Sequence, residues 1–371
     1  MGVNAQLSSI SDVFYQGAFI TYILCLLVSL YYYGLISEIL RKQNQAKTAT
    51  EQAVVSGNST GTITKAKNGV STQSRKAHRS SSIVRFLLFL GLVLHAASWT
   101  IRGIAVSRFP LGNLYEYSVA FALVAMIICA ILVARERRNI TLVPWFLTPT
   151  LLLMFYVAAR LYAEAAPVVP ALQSNWIPIH VTTVIFGASI GLTSGVGSLL
   201  YLLRVWEEKS NLKFLSFLVR PLPSADKLDA LAYRFAIAAL PTFGLGVIFG
   251  AIWAESAWGR FWEWDPKEAV SFMTWVLYAA YLHARATPSW GPEKAAFVNL
   301  LAFATMIFNL FFINMVVSGL HSYAGLNKTR RFIRSAAARR CCPARAGFRG
   351  ESAGARRRRR WDSRCWQRMH Q

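Results

Sequence analysis

Residues 234–254 read RFAIAALPTFGLGVIFGAIWA, and residues 255–268 continue as ESAWGRFWEWDPKE. After Arg234 come 20 residues without a charge, and about 20 suffice for a helix to cross the roughly 30 Å apolar layer of a bilayer. Lipid offers backbone N–H and C=O groups no partners, so such a segment has to be helical. The change of character at Glu255 then marks a membrane surface. The same reading, carried outward, finds comparable segments at 14–37, 83–103, 116–134, 142–163, 180–203, 270–286 and 296–318. The fold class expected is all-α, a polytopic membrane helical bundle of about eight transmembrane helices. The first of these, within 1–37, is too long and its N-terminal flank too uncharged for a cleavable signal peptide.

Composition agrees. Of 371 residues, 54% are hydrophobic and 15% charged, where a soluble domain carries about 25% charged residues. An acidic solvating protein is excluded, and the composition argues against a compact cytosolic enzyme. The net charge of +23 divides in two. The last 45 residues, 327–371, hold 15 Lys and Arg against Glu351 and Asp362, a net of +13. The remaining basic residues lie between apolar segments, which argues against nucleic acid as a partner and for membrane lipid.

Basic residues also set orientation, because loops rich in Lys and Arg stay in the cytoplasm. One set of loops (38–82, 135–141, 204–233 and 287–295), with the adjoining helix ends, holds 20 Lys and Arg; the opposite side, before the tail, holds 5. Both termini and the loop 255–268 are therefore expected outside, in a multi-pass protein of the plasma membrane. Segment 38–82, rich in Ser, Thr, Gly, Gln and Lys, reads as a flexible cytoplasmic linker. The basic tail 327–371 contradicts the charge rule; a lipid anchor, a disordered tail and an out-of-frame translation compete, and the last two are preferred. The five cysteines form no Cys-x-x-Cys pair, so a zinc or dithiol motif is lacking.

The chemistry concentrates at 255–268. Trp258, Phe261, Trp262 and Trp264 lie within seven residues, with Asp265 beside them. A single Trp there would be an interface anchor. Four aromatics form a shelf on which a planar ligand can stack, and Arg260 and Lys267 are placed to pair with that ligand's carboxylates. His180 opens the fifth span and His321 follows the eighth, both at the depth of this loop. A neutral imidazole ligates iron well, and two on opposite faces of a porphyrin would clamp it. His283 and His95 lie within spans, where an ionisable group is costly and a candidate for function by default; His283 reads as a ligand, and His95 equally well as a helix-packing residue. No catalytic residue is assigned.

These motifs resemble the CcsA/ResC family, the haem-handling membrane subunit of system II cytochrome c biogenesis. The resemblance rests on the tryptophan-rich (WWD) stretch Trp258 to Glu268, followed by Trp275, Tyr278 and His283. It rests also on Pro110-x-x-Asn113-x-Tyr115-Glu116 and on Phe308-Asn309 to Gly319-Leu320-His321-Ser322-Tyr323. It covers about residues 83–326 and looks most like the actinobacterial members often named CcsB. The resemblance implies a cargo of haem b, with His180 and His321 as its outer axial ligands. It implies that His283 ligates haem inside the membrane, its counterpart coming from a ResB-type partner. It further implies carriage of haem outward and its attachment to Cys-x-x-Cys-His sites of apocytochrome c, as the membrane subunit of a holocytochrome c synthase complex. Two alternatives stay open: a haem exporter without ligation activity, and a receptor or transporter whose Trp cage binds a quaternary ammonium.

Overall fold

The computed structural model describes residues 4–56, 63–168, 172–210 and 213–317. The chain divides into two units, Met1–Ala324 and Gly325–Gln371; the second, and with it all of the basic tail expected at 327–371, lies outside the described residues, as does His321. Among the described residues every regular element is a helix. They are α1 (Ala5–Ser56), α2 (Ile63–Val106), α3 (Leu114–Arg135), a 3-10 segment (Arg137–Leu142) leading into α4 (Val143–Tyr156), α5 (Trp176–Ser210), the short α6 (Lys213–Val219), α7 (Ala225–Trp258), α8 (Pro266–Ala286) and α9 (Pro292–Phe308). Wide π turns extend α4 over Val157–Leu161 and α9 over Asn309–Ile313.

Seven stretches among the described residues are long and apolar enough to cross a membrane: Ala5–Thr48, Gln73–Val106, Leu114–Arg135, Arg137–Leu161, Trp176–Ser210, Ala225–Trp258 and Pro292–Ile313. The chain is a membrane protein built as a helical bundle. The eighth segment expected, 270–286, is present as α8 but falls short on hydropathy. Ser271, Thr274, two tyrosines, His283 and Arg285 dilute its apolar residues. The linker expected at 38–82 also differs: α1 runs on to Ser56 and α2 starts at Ile63. Its Ala, Gln, Lys and Glu content supports helix, and Lys42 Nζ lies 2.9 Å from Glu38 one turn back.

The helices pair before they bundle. α1 lies along α2, and α5 along α7. At Gly187 a Cβ would lie 2.7 Å from the Phe243 backbone, so a small residue is what lets α5 and α7 touch. Asn299 of α9 donates through Nδ2 to Ser194 Oγ at 2.8 Å and Ser198 Oγ at 2.7 Å on α5, an interhelical bond of the kind that compensates for the missing hydrophobic drive in lipid. Ile20, Leu24 and Leu27 of α1, Phe86 and Phe89 of α2 and Leu301 of α9 are exposed, as an apolar solvent permits. One end of the bundle gathers ion pairs, among them Arg285–Asp229 at 2.8 Å and Lys227–Glu136 at 2.7 Å. The opposite end carries the tryptophan-rich loop and the start of α1.

Candidate functional site

The tryptophan-rich loop owes its shape to two helix ends. α7 stops because Gly259 takes the left-handed conformation, φ 71°, and its N–H caps Glu255 O at 2.8 Å. α8 starts at Asp265, whose carboxylate accepts the N–H of Lys267, with Pro266 in the first turn and Glu268 completing a capping box. Glu268 is buried: Oε2 accepts the N–H of Glu263 at 3.0 Å and of Asp265 at 3.2 Å, and Oε1 receives Arg260 Nη1 at 3.1 Å. Arg260 Nε also meets Glu263 Oε2 at 2.6 Å, and the guanidinium lies over the Trp258 ring at 5.4 Å. Between the two ends Trp264 is forced to φ 59°, a backbone region that a bulky side chain seldom adopts.

The aromatics expected to act as one shelf form two groups. Trp258, on the last turn of α7, packs edge-on against Trp253 at 4.6 Å. Trp262 and Trp264 meet edge-to-face at 5.6 Å, and both rest against Phe272 of α8. Phe261 and Trp264 are 60% and 65% exposed, so part of this surface is available to a large ligand. Asp265 is turned into the helix start as a cap.

His180, in the first turns of α5, faces this region. Its ring stacks on Trp253, 6.1 Å between centroids and 8° between planes. Its Nδ1 lies 2.8 Å from Gly246 O. A carbonyl only accepts, so the neutral ring carries its proton on Nδ1 and its lone pair on Nε2, the tautomer a metal ligand needs. Gly250 leaves room for the ring: a Cβ there would lie 2.6 Å from His180 Cε1.

Two adjoining cavities meet at this histidine. The larger holds about 1020 Å³ of unfilled space, part of it open solvent, between Leu111–Leu114, the first half of α5, Phe243, Trp253 and the end of α9. The smaller, about 530 Å³, reaches Gly250, Phe261, Trp262 and Glu268. His180, Val184, Phe243, Lys267 and Ser271 line both. Lys267 donates to Asn314 Oδ1 at 2.6 Å. Desolvation pushes its ammonium down to about 8 despite the nearby Asp265 carboxylate. Asn309 Nδ2 donates to Ser271 Oγ at 2.7 Å, and Asn314 Nδ2 to Leu310 O at 2.7 Å. The cavities are thus apolar with one polar seam.

The other histidines lie elsewhere. His283 is exposed on the last turn of α8, far along the helix from the loop. His95 is wholly buried, edge-on to Tyr15 and Tyr22 at 6.4 and 5.9 Å, and lines neither cavity. Trp253, Gly250 and Asn314 were not singled out by sequence, and Asn309 only as part of the ending motif. Each sits in an apolar run, and only the packing of α5 on α7 and of α8 on α9 shows what it faces.

Comparison with known proteins accords with this architecture. A family model described as "Cytochrome C assembly protein" matches residues 111–321, more than half of the chain. The cytochrome c biogenesis protein CcsA of Guillardia theta is 35% identical over 243 residues, covering 61% of this chain and 80% of the relative. The CcsA of Chlamydomonas reinhardtii is 31% identical over 255 residues, 67% of this chain and 70% of the relative. The solved structure of the cytochrome c heme lyase CcmF matches with a TM-score of 0.52 at 15% identity, over 87% of this chain and 49% of that one, a likeness of fold alone. This chain therefore spans about half the length of CcmF. With a matched core from Leu111 through the tryptophan loop, the chain belongs to the cytochrome c assembly protein family, as a CcsA-type membrane protein of cytochrome c biogenesis.

Proposed function

We propose that this chain receives haem b as cargo, holds it against the tryptophan loop on the outer face of the plasma membrane, and presents it for covalent attachment to apocytochrome c. The observation that carries this reading is His180. Its Nδ1 is turned to the Gly246 carbonyl, so in the neutral ring the lone pair sits on Nε2; the ring stacks on Trp253 at the junction of two cavities beside an exposed aromatic surface. His321 supplies the second outer ligand. Arg260 Nη2 is buried and has no hydrogen-bond partner among the described residues, which supports Arg260, together with Lys267, as the partner of the haem carboxylates. His283, exposed on α8, ligates haem inside the membrane against a ResB-type partner.

Attachment needs positioning above all. Each of two thiols of a Cys-x-x-Cys-His site adds across a vinyl group, sulfur to one carbon and hydrogen to the other, and holding the iron fixes both vinyl edges for that approach. The apocytochrome's own histidine then displaces one protein imidazole and frees the product. The purified protein should show a Soret band, which a quaternary-ammonium receptor would lack. His180→Gly should lose it, or shift it, and recover it with added imidazole. Normal cytochrome c maturation in both His180→Ala and His321→Ala strains would refute the ligand roles. Ligation of an apocytochrome peptide by this chain with its partner separates attachment from export alone.

A further inference from the structure

The larger cavity is walled on one side by Leu111, Gly112, Asn113 and Leu114, across from His180 and Trp253. What holds that wall is a carboxylate. Glu116, in the first turn of α3, has a wholly buried side chain. Its Oε1 receives Arg102 Nε at 3.3 Å and Arg108 Nη2 at 3.3 Å; its Oε2 receives Arg108 Nη1 at 2.9 Å and the N–H of Gly112 at 2.8 Å. Its own N–H is capped by Asn113 Oδ1 at 2.8 Å.

The two arginines reach further. Arg108 Nη1 donates to Phe109 O at 2.9 Å and Nη2 to Ala166 O at 3.1 Å, while Arg102 Nη2 donates to Ala163 O. Arg102 Nη1 lies 3.9 Å from Asp12 of α1, which also accepts the Tyr162 hydroxyl at 2.7 Å. Gly112 permits the join: a Cβ there would lie 2.4 Å from Val168 Cγ1 and 2.8 Å from Arg108 Cζ. One carboxylate therefore ties together α1, the 108–113 turn and the 162–168 stretch. Asp12, Arg102 and Arg108 all lie before the matched family region, which starts at residue 111.

Buried ion clusters are a poor source of stability, since desolvation offsets their attraction; a fixed geometry is what they can supply. We infer that Glu116 is a positioning residue: through Arg102 and Arg108 it sets the spacing between the Leu111–Leu114 wall and His180, and it makes α1 a structural part of the cargo site. The inference rests on haem occupying this cavity. Exogenous imidazole in a His180→Gly background probes that spacing, because it would have to fill the place the His180 ring leaves beside Trp253 and Gly246 while the wall bounds the cargo from the other side.

The test uses the full-length protein with haem bound. Glu116→Gln keeps the shape and removes the charge that both arginines face. It should change the imidazole concentration giving half-recovery of the Soret band by at least fivefold, and Gly112→Ala should do the same. Asp229→Asn removes the partly buried carboxylate that pairs with Arg285 at the opposite end. It should lower the melting temperature and leave the titration alone. If Glu116→Gln fails to fold, Gly112→Ala and Tyr162→Phe, which loses only the Asp12 bond, carry the test. Titrations matching the parent at equal folded protein, or an equal change in Asp229→Asn, would overturn the inference. A parent protein without any Soret band would instead sink the haem reading, and this inference with it.

Discussion

The imidazole of His180 and the indole of Trp253 lie parallel, 8° apart in plane with centroids 6.1 Å apart, while Gly246 O fixes the imidazole's edge at 2.8 Å. A face contact and an edge contact together define both the tilt and the tautomer of the ring. Its angle to anything bound in the cavities is therefore set before binding, as preorganised sites require.

Gly250→Ala is the smallest change that disturbs this arrangement. The added carbon would sit 2.6 Å from Cε1 and 2.9 Å from Nδ1, so the ring must leave Gly246. Cytochrome c maturation should fall about tenfold, equivalent to about 1.4 kcal/mol. The double variant with His180→Gly should be no worse than His180→Gly alone, since both act on one ring. Haem staining of matured cytochrome c, with protein levels matched, measures this.

Lys267 should give the site a pH dependence. Its ammonium titrates at about 8 in the fold against an ordinary 10.5. Below pH 8 it is charged and can hold an anion; between 8 and 10.5 the folded protein has released a proton that the unfolded chain still binds. Stability should therefore rise with pH across that window as the desolvation penalty is relieved, while retention of a carboxylate-bearing cargo weakens. Haem retention followed from pH 7 to 9.5 should decline through pH 8. Lys267→Arg, which stays charged, should abolish the decline.

Trp264→Gly should separate stability from function. The left-handed backbone at φ 59° costs a non-glycine residue about 1–2 kcal/mol, which glycine removes, while the contacts with Trp262 and Phe272 are lost. The melting temperature in detergent should hold or rise, and maturation should fall. A variant active at the parent level would show that the indole is not used.

Asp265→Ala should loosen the start of α8. Loss of the helix cap costs about 1 kcal/mol, and the Glu263–Asp265 turn held by Glu268 loses its reciprocal partner. Hydrogen exchange at Lys267–Ala269 should accelerate more than at Tyr278, deep in the same helix.

The bundle was legible because its cause is local: long uncharged runs leave a chain in lipid no alternative to helix. Seven stretches meet that standard, and α8, with Arg285 and His283 in its last turn, marks where composition alone becomes a weak guide. His180 and the aromatic loop stood out by residue type. Trp253 and Gly250 did not, since a Trp and a Gly in an apolar span are ordinary until a second helix crosses them. Glu116 was visible as part of a motif, yet Arg102 and Asp12 come from other helices and Arg108 from the turn before α3. Long-range pairing of this sort leaves no periodicity to read. The helical run through 38–56 was missed for the opposite reason: Ser and Thr suggested looseness where Gln, Lys and Ala were good helix formers.

The π turn at Asn309–Ile313 gives α9 a rotational offset that depends on one extra residue. In an unbroken α-helix, residues five apart point about 140° from each other; the widened turn brings Asn309 onto Ser271 and Asn314 onto Lys267. Deleting one residue between 310 and 313 would restore a regular ladder at little cost to the backbone. It would also swing every side chain beyond it by about 100°, detaching Lys267 from its amide partner. The chain thus keeps a locally imperfect helix as an indexing device, and its reading frame along the axis is as much a part of the site as any side chain.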